Sequence, residues 1–319
     1  MKNYSPKSLN VKNIPLSWIK DKSLTPKIKY VKLYNNAKWL SLANFPFNYE
    51  SLSILTDAAN NYGNKIIIRG CDIEITDFLE KQGFARLHLG MEAVLELDKD
   101  YFKKKSLKEL VKRGFKHGKV IELEYSRDNA EKIEQFKKCT THYSEPRLKH
   151  LYVLNFIPGT KMFVFKSHSG EWLGAIQVSI NSATKLQTEL LLRRKHAPVG
   201  IMEALIYSIF IILRKTDYKE WSLGEVPFVF NEKKFSFLSR AYLINKVGQA
   251  FKFAYNYKGL YNFKNKFNPR WDDIYICGRP KIAYTYLFLL FAKSNLYKLI
   301  FYRIKKILIS VITFRTFLL

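Results

Sequence analysis

Acidic residues are scarce in this chain. There are 27 Asp and Glu against 54 Lys and Arg in 319 residues, a formal net charge of +27. So large an imbalance argues against an enzyme of small neutral molecules and for a polyanionic partner: nucleic acid, an anionic bilayer, or both. A lysine-rich background, visible also in the many Asn and Ile, accounts for part of the charge but not for the shortage of acids. Cysteine is nearly absent. Cys71, Cys139 and Cys277 are odd in number and far apart, with no CxxC, which excludes a disulfide framework and points to reduced thiols. The six histidines show no metal-ligand spacing, so no metal site is expected. HExxH, GxSxG, P-loop and GxGxxG are all missing, which weighs against metallohydrolase, serine hydrolase and nucleotide-dependent chemistry. Long apolar runs are missing too. "IMEALIYSIFIIL" and "IAYTYLFLLFA" fall short of the ~20 residues a spanning helix needs, and no apolar h-region follows Met1, so no secretory leader is expected. What is present in quantity is hydrophobic residue, 47%, enough to build a core.

The periodicity predicts a mixed α/β (α+β) chain. Residues 1–50 read as irregular, with a strand at 27–33. A helix follows at 50–62, then the strand "NKIIIRG", the helix "ITDFLEKQGF" and the strand "MEAVLELD". A strongly basic helix spans 101–117, with Gly118 as its closing cap. The strand "KVIELEYS" opens a second unit, and the helix "NAEKIEQFKKCTTHY" follows, capped by Asp128 or Asn129. "KMFVFKS" and "EWLGAIQVSI" form a hairpin about Gly170, with "LQTELLLRR" as the next strand. The loop "KHAPVG" leads into the helix "IMEALIYSIFIILRK". The strand "KEWSLGEVPF" comes after it, and "AFKFAYNY" and "DDIYICG" read as strand-like. A strand that feeds a helix through a tight loop ending at Gly200 aims backbone N–H groups at whatever sits there. GNAT acyltransferases hold an acyl donor with that arrangement, although the usual glycine-rich donor loop is degenerate here.

Three segments in order carry a family likeness: "APVGIMEAL", "WSLGEVPF" and "YKGLYNFKNKFNPRWDDIYI". Upstream, "FLEKQGFARLHLGMEAVLEL" and "KSLKELVKRGFKHG" add to it. Together, over roughly 60–281, they resemble the C-terminal catalytic domain of phosphatidylglycerol lysyltransferases. The resemblance implies tandem GNAT-like acyltransferase units with mixed, mostly antiparallel sheets flanked by helices. The expected division is residues 1–118 as the first unit with its basic linking helix, 119–281 as the second, catalytic unit, and 282–319 as a basic amphipathic helical tail. It also implies transfer of an aminoacyl group from aminoacyl-tRNA to a membrane lipid such as phosphatidylglycerol, at the cytoplasmic membrane face, with the charged tRNA as co-substrate and no cofactor. Full-length members carry a transmembrane flippase domain upstream. This sequence contains none, so no flipping role is expected of it.

Transfer from an aminoacyl ester needs a placed hydroxyl, help in its deprotonation and a stabilised oxyanion. Arg193 and Arg194 end a strand where the family has an arginine near the aminoacyl group; they can also be solvated strand-end cations. The family places an acid three residues before that arginine. Leu190 and Leu191 hold those offsets here and Glu189 is the nearest acid, so the donor amino acid is not fixed as lysine. Glu203 matches the family's acid at the start of the helix, where an acid also complements the helix N-terminus. Glu225 stands where the family is apolar, as a base near the acceptor or as an exposed acid. Glu92 matches the acid of the Leu-Gly-x-Glu-Ala stretch. His196 lies in the donor loop, as a proton shuttle or as an idle loop residue, and Gly200 closes that loop. Lys258, Lys264 and Lys266 interleave with aromatics and are expected to face a phosphate of tRNA or lipid. Lys104, Lys105, Lys108, Lys112 and Arg113 on the basic helix, beside the single acid Glu109, are expected to contact tRNA phosphates. In the tail, Leu296, Leu299, Ile300, Ile304, Ile307, Leu308 and Val311 fall at helical spacing with Lys298, Lys305 and Lys306 toward the other side. That pattern suits a helix lying on an anionic membrane, or one docked on the domain. Two other functions fit the same residues: an N-acyltransferase using acyl-CoA or acyl carrier protein, and a non-catalytic module that holds RNA or membrane by charge.

Overall fold

The protein is described by a computed structural model covering residues 11–22, 25–230, 252–316 and the isolated positions 246, 248 and 249, with side chains as far as Ile309. Period-two alternation builds its sheet, because successive strand residues point to opposite faces. In β4 (Ile66–Cys71), Ile66 and Ile68 join one core cluster and Ile67 another. In β7 (Lys161–Ser167), Phe163 and Phe165 face one side and Met162 and Val164 the other. Strands buried on both faces need helices on both, and the chain supplies them.

The first stretch runs β1 (Trp18–Asp21), β2 (Lys27–Lys32), β3 (Lys38–Pro46), α1 (Ser51–Asn61), β4, α2 (Ile73–Lys81), β5 (Ala85–Glu96) and α3 (Lys105–Phe115). Then come β6 (Gly118–Leu123), α4 (Arg127–Lys138), β7, β8 (Trp172–Ile180), β9 (Lys185–Arg193), α5 (Ile201–Leu213) and β10 (Glu220–Pro227). The last elements are α6 (Tyr257–Asn265), β11 (Arg270–Arg279), α7 (Tyr284–Lys293) and α8 (Leu296–Thr316). Helices α1 and α2 cover one face of the N-terminal half and α7 the other. Helices α3 and α5 cover one face of the second half and α4 the other.

The fold is the expected mixed α+β type, with mostly antiparallel pairing; the parallel pairs are β1–β3, β3–β4 and β9–β10. One eleven-stranded sheet runs β1-β3-β4-β11-β5-β10-β9-β8-β7-β6, with β2 on β3. The boundary expected at 118/119 therefore divides the chain but not the sheet. Strand β11, placed by sequence in the second unit, lies between β4 and β5 of the first. It pairs with β5 from Arg270↔Val94 to Gly278↔Ala85 and with β4 from Tyr275↔Cys71 to Arg279↔Ile66.

Other expectations are corrected. The N-terminal stretch is not otherwise irregular: besides the strand read at 27–33, which is β2, it holds β1 and β3, with Trp18 and Trp39 fully buried. Buried Lys20 and Asp21 had broken the apolar pattern of β1. The basic helix starts at Lys105, with Lys104 as its N-cap position, and ends before Gly118. Gly118 begins β6 instead, at φ +156, where a Cβ would lie 2.0 Å from the Lys166 carbonyl oxygen. The cap of α4 is Ser126, whose Oγ accepts from the Asn129 N–H at 3.0 Å. "AFKFAYNY" is not a strand over its described part: 252–255 form turns and α6 begins at Tyr257, capped by the Asn256 side chain accepting from the Gly259 N–H at 2.8 Å. Residues 250 and 251 lie outside the described residues. The tail is two helices rather than one.

Candidate active site

The site begins where two parallel strands part. Strands β9 and β10 pair only over Glu220↔Lys185, Trp221↔Leu186 and Ser222↔Gln187. Beyond Ser222, β10 breaks register at Gly224, whose φ of +87 suits glycine; its N–H donates to Ser222 Oγ at 2.9 Å. Strand β9 meanwhile continues along β8. The wedge so opened leads into a cavity of about 1210 Å³. Gln187, Thr188 and Glu189 line it from β9, Gly224 and Glu225 from β10, and Gly200 to Glu203 from the start of α5. The first N–H groups of a helix have no intrahelical acceptor and carry partial positive charge, so this end suits an anion or a developing oxyanion.

Gly200 fixes that helix start. Its φ is +97, and a Cβ there would sit 2.2 Å from the Leu110 carbonyl oxygen. A Cβ on Gly114 would sit 2.4 Å from the Gly200 oxygen. The glycine pair lets basic α3 lie against the helix start that borders the cavity. Lys104, Lys105, Lys108, Lys112 and Arg113 are all exposed there, while Leu107, Val111 and Gly114 face inward.

Charged groups meet at the polar end. Glu225 is ion-paired with Arg69, and its Oε2 is buried without a hydrogen-bond partner among the described residues. Lys264 is 3% exposed and donates to the Glu225 carbonyl oxygen at 3.0 Å. Burial pulls its ammonium down to about 7, with Glu225 and Glu92 acting the other way. Glu203 is buried and paired with Lys266 at 2.9 Å. Glu189 is fully enclosed and accepts from the Val153 N–H, Ser179 Oγ and Gln187 Nε2 at 3.0, 2.7 and 2.8 Å. Burial lifts its carboxyl above the usual range although those hydrogen bonds pull it down. Arg193 donates to the Ala197 carbonyl oxygen at 2.6 Å.

The structure thus gathers Glu189, Arg193, Gly200, Glu203, Glu225, Lys264 and Lys266 around one cavity. It leaves others outside. Arg194 turns to Glu171 at 2.8 Å and to the Trp172 carbonyl, away from the cavity, as alternate strand residues must. His196 and Lys258 are exposed and do not line the cavity. Glu92 is fully buried within the sheet, ion-paired with Lys185 at 2.8 Å, and reaches the site only as a charge near Lys264. Sequence reasoning missed Arg69, Tyr152 and Tyr255, all cavity residues. Arg69 had a signal, a lone cation in the apolar run "IIIRG"; the tyrosines had none. Burial pushes both phenols up. Apolar side chains line it as well: Leu148 and Leu151 from a loop, Leu287 and Phe291 from α7, Leu296 and Leu299 from α8. No cluster that could hold a metal ion exists among the described residues.

Comparison with known proteins fits this geometry. The sequence profile of the family described as "Phosphatidylglycerol lysyltransferase, C-terminal" matches residues 47–278. The structure of L-PGS from Bacillus licheniformis is 18% identical with a TM-score of 0.65, covering 85% of this chain and 86% of that one. The C-terminal domain (DUF2156) of a putative lysylphosphatidylglycerol synthetase from Agrobacterium fabrum is 20% identical with a TM-score of 0.63, covering 85% of each chain. At that identity the two structures speak for the fold. No curated protein matches the sequence.

Proposed function

Since the chain belongs to the phosphatidylglycerol lysyltransferase C-terminal family, and is thus an aminoacyltransferase, we propose that it moves an aminoacyl group from aminoacyl-tRNA to a hydroxyl of a membrane lipid such as phosphatidylglycerol, at the cytoplasmic membrane face. One observation carries the reading: a buried lysine whose charge burial disfavours lines the same cavity as an apolar wall. The apolar wall suits acyl chains. Lys264 suits a base, because an amine that burial pulls down to about 7 is partly unprotonated at neutral pH. In this reading the Lys264 amine takes the proton of the acceptor hydroxyl as its oxygen attacks the ester carbonyl. The proton then passes to the departing ribose oxygen, so one ester forms and one breaks with no net proton change. The N–H groups at the start of α5 and Arg193 stabilise the oxyanion between the two steps. Glu225 offers its unpaired oxygen to the amino acid's ammonium, and the exposed cations of α3 take the tRNA phosphates. The test is incubation with radiolabelled aminoacyl-tRNA pools and lipid extract. The expected result is label in the organic phase, lost when the tRNA is first digested with RNase. No label from any amino acid overturns the reading, and label from acyl-CoA in its place identifies an N-acyltransferase.

A further inference from the structure

We propose that α7 and α8 form a docking surface for an anionic lipid bilayer, placed so that the cavity they line opens toward the membrane. These helices lie beyond residue 278, where the family match ends. Charge is the first observation. From residue 274 to 319 the chain holds eight Lys and Arg and no Asp or Glu.

The second is how the helices are held. Their inner side is fixed to the fold: Leu290, Leu299 and Ile300 are buried. Asn295 Nδ2 donates to the Arg147 carbonyl oxygen at 3.1 Å, and Arg303 pairs with Glu145 at 2.7 Å. The outer side is apolar and open, with Phe288 66%, Phe301 67% and Leu308 57% exposed. Residues 304–309 of α8 are all exposed. Phe301, Ile304 and Leu308 follow the i, i+3, i+7 spacing of one helix face, beside Lys305. Soluble monomers rarely expose such a face without a partner for it.

The third is continuity with the cavity. Phe288, Phe291, Leu296, Leu299 and Arg303 line it from the same two helices. The occupant is an anionic bilayer rather than a second copy, because a homodimer here would press together two basic helix pairs that carry no acid of their own, on chains of +27 each. No helix among the described residues is long and apolar enough to cross a membrane, so α8 lies in the interface, apolar side down and lysines at headgroup level. The docking stands by itself; the role given to the cavity opening rests on the proposed function.

The test is flotation of the full chain with vesicles of phosphatidylglycerol and phosphatidylcholine, against pure phosphatidylcholine. Wild type is expected to float with the anionic vesicles only. Binding should weaken at least tenfold in the triple variant Phe301→Ser, Ile304→Ser, Leu308→Ser and in Lys305→Glu with Lys306→Glu, with unchanged thermal melts. Transfer to vesicle lipid should fall as binding does, while transfer to detergent-dispersed lipid stays within twofold. The proposal is overturned if wild type ignores anionic vesicles or binds neutral ones equally, or if the triple variant binds as wild type does. A wild-type dimer that the triple variant converts to monomer, with vesicle binding unchanged, also overturns it in favour of a second copy. If no lipid is aminoacylated at all, the proposed function fails while flotation still decides the docking.

Discussion

Helix α3 and the 255–276 stretch both interleave lysines with apolar residues, yet their cations end in opposite surroundings. On α3, Lys105, Lys108, Lys112 and Arg113 stay exposed because Leu107, Val111 and Gly114 take the buried face. In 255–276, Lys264 is sealed under β10 and Lys266 is bound to Glu203. A solvated lysine keeps its charge and works by displacing counterions from a polyanion. A buried one gives its proton up more readily and becomes a base. Residue type is shared; burial decides the work.

Four experiments break or sharpen that contrast. Lys264→Met should cut the transfer rate by about 10²–10⁴-fold, the span of general acid–base catalysis, with tRNA and vesicle binding kept. A rate within tenfold of wild type would remove the base assignment. The wild-type rate should climb with pH through the region of about 7 and then level off. The sign for stability follows the same shift. Lys264 titrates lower when folded than when unfolded, so the unfolded chain holds more protons between the two values. Stability therefore rises with pH from about 7 toward the usual lysine range and is lost as pH falls. Urea melts at neutral and alkaline pH should show that slope in wild type and a reduced one in Lys264→Met.

Next in size is Glu225→Gln, which strands the largely buried Arg69. Loss of one partner of a buried pair costs about 3 kcal/mol, to be read from denaturant melts. Because Glu225 raises the Lys264 value, the rate midpoint should also move to lower pH. A midpoint that stays put would mean the two groups do not communicate.

Charge reversal on α3, Lys105→Glu with Lys108→Glu and Lys112→Glu, should weaken tRNA binding by about 10–100-fold at moderate salt. Each lost phosphate contact should flatten the salt dependence by about one. The rate at saturating donor should hold. A fall in that rate with unchanged affinity would put α3 in the catalytic class with Lys264. Smallest is Lys266→Ala. Only the lysine end of this pair is half exposed, and the buried Glu203 keeps the start of α5 as support, so melts should shift by about 1 kcal/mol and transfer little.

The sequence made the fold class and the alternation of strands and helices from α1 to β10 readable, because buried strands and amphipathic helices leave period-two and helical patterns. It failed where polar residues are buried by distant contacts. Lys20 and Asp21 hid β1, while β2, though largely exposed, matches the strand read at 27–33. It also failed over the described part of "AFKFAYNY", which read as strand-like; the Asn256 cap before Gly259 was the overlooked signal of a helix. The site was half readable. Glu189, Arg193, Gly200, Glu203, Glu225, Lys264 and Lys266 came from segments that line the cavity, yet which of Arg193 and Arg194 faces it depends on the register of β9. Arg69 was announced only as a lone cation in "IIIRG", and Tyr152 enters from a loop far off in sequence, so no local pattern announces it.

Strand β11 has a consequence for how the protein is made. It is the strand that joins β4 to β5, and it ends at Arg279. Chains emerge from the ribosome N-terminus first, and pairings across such a span close slowly. The N-terminal half is therefore translated early and finished late. Its β4 and β5 edges wait bare until nearly the whole sheet has been synthesised.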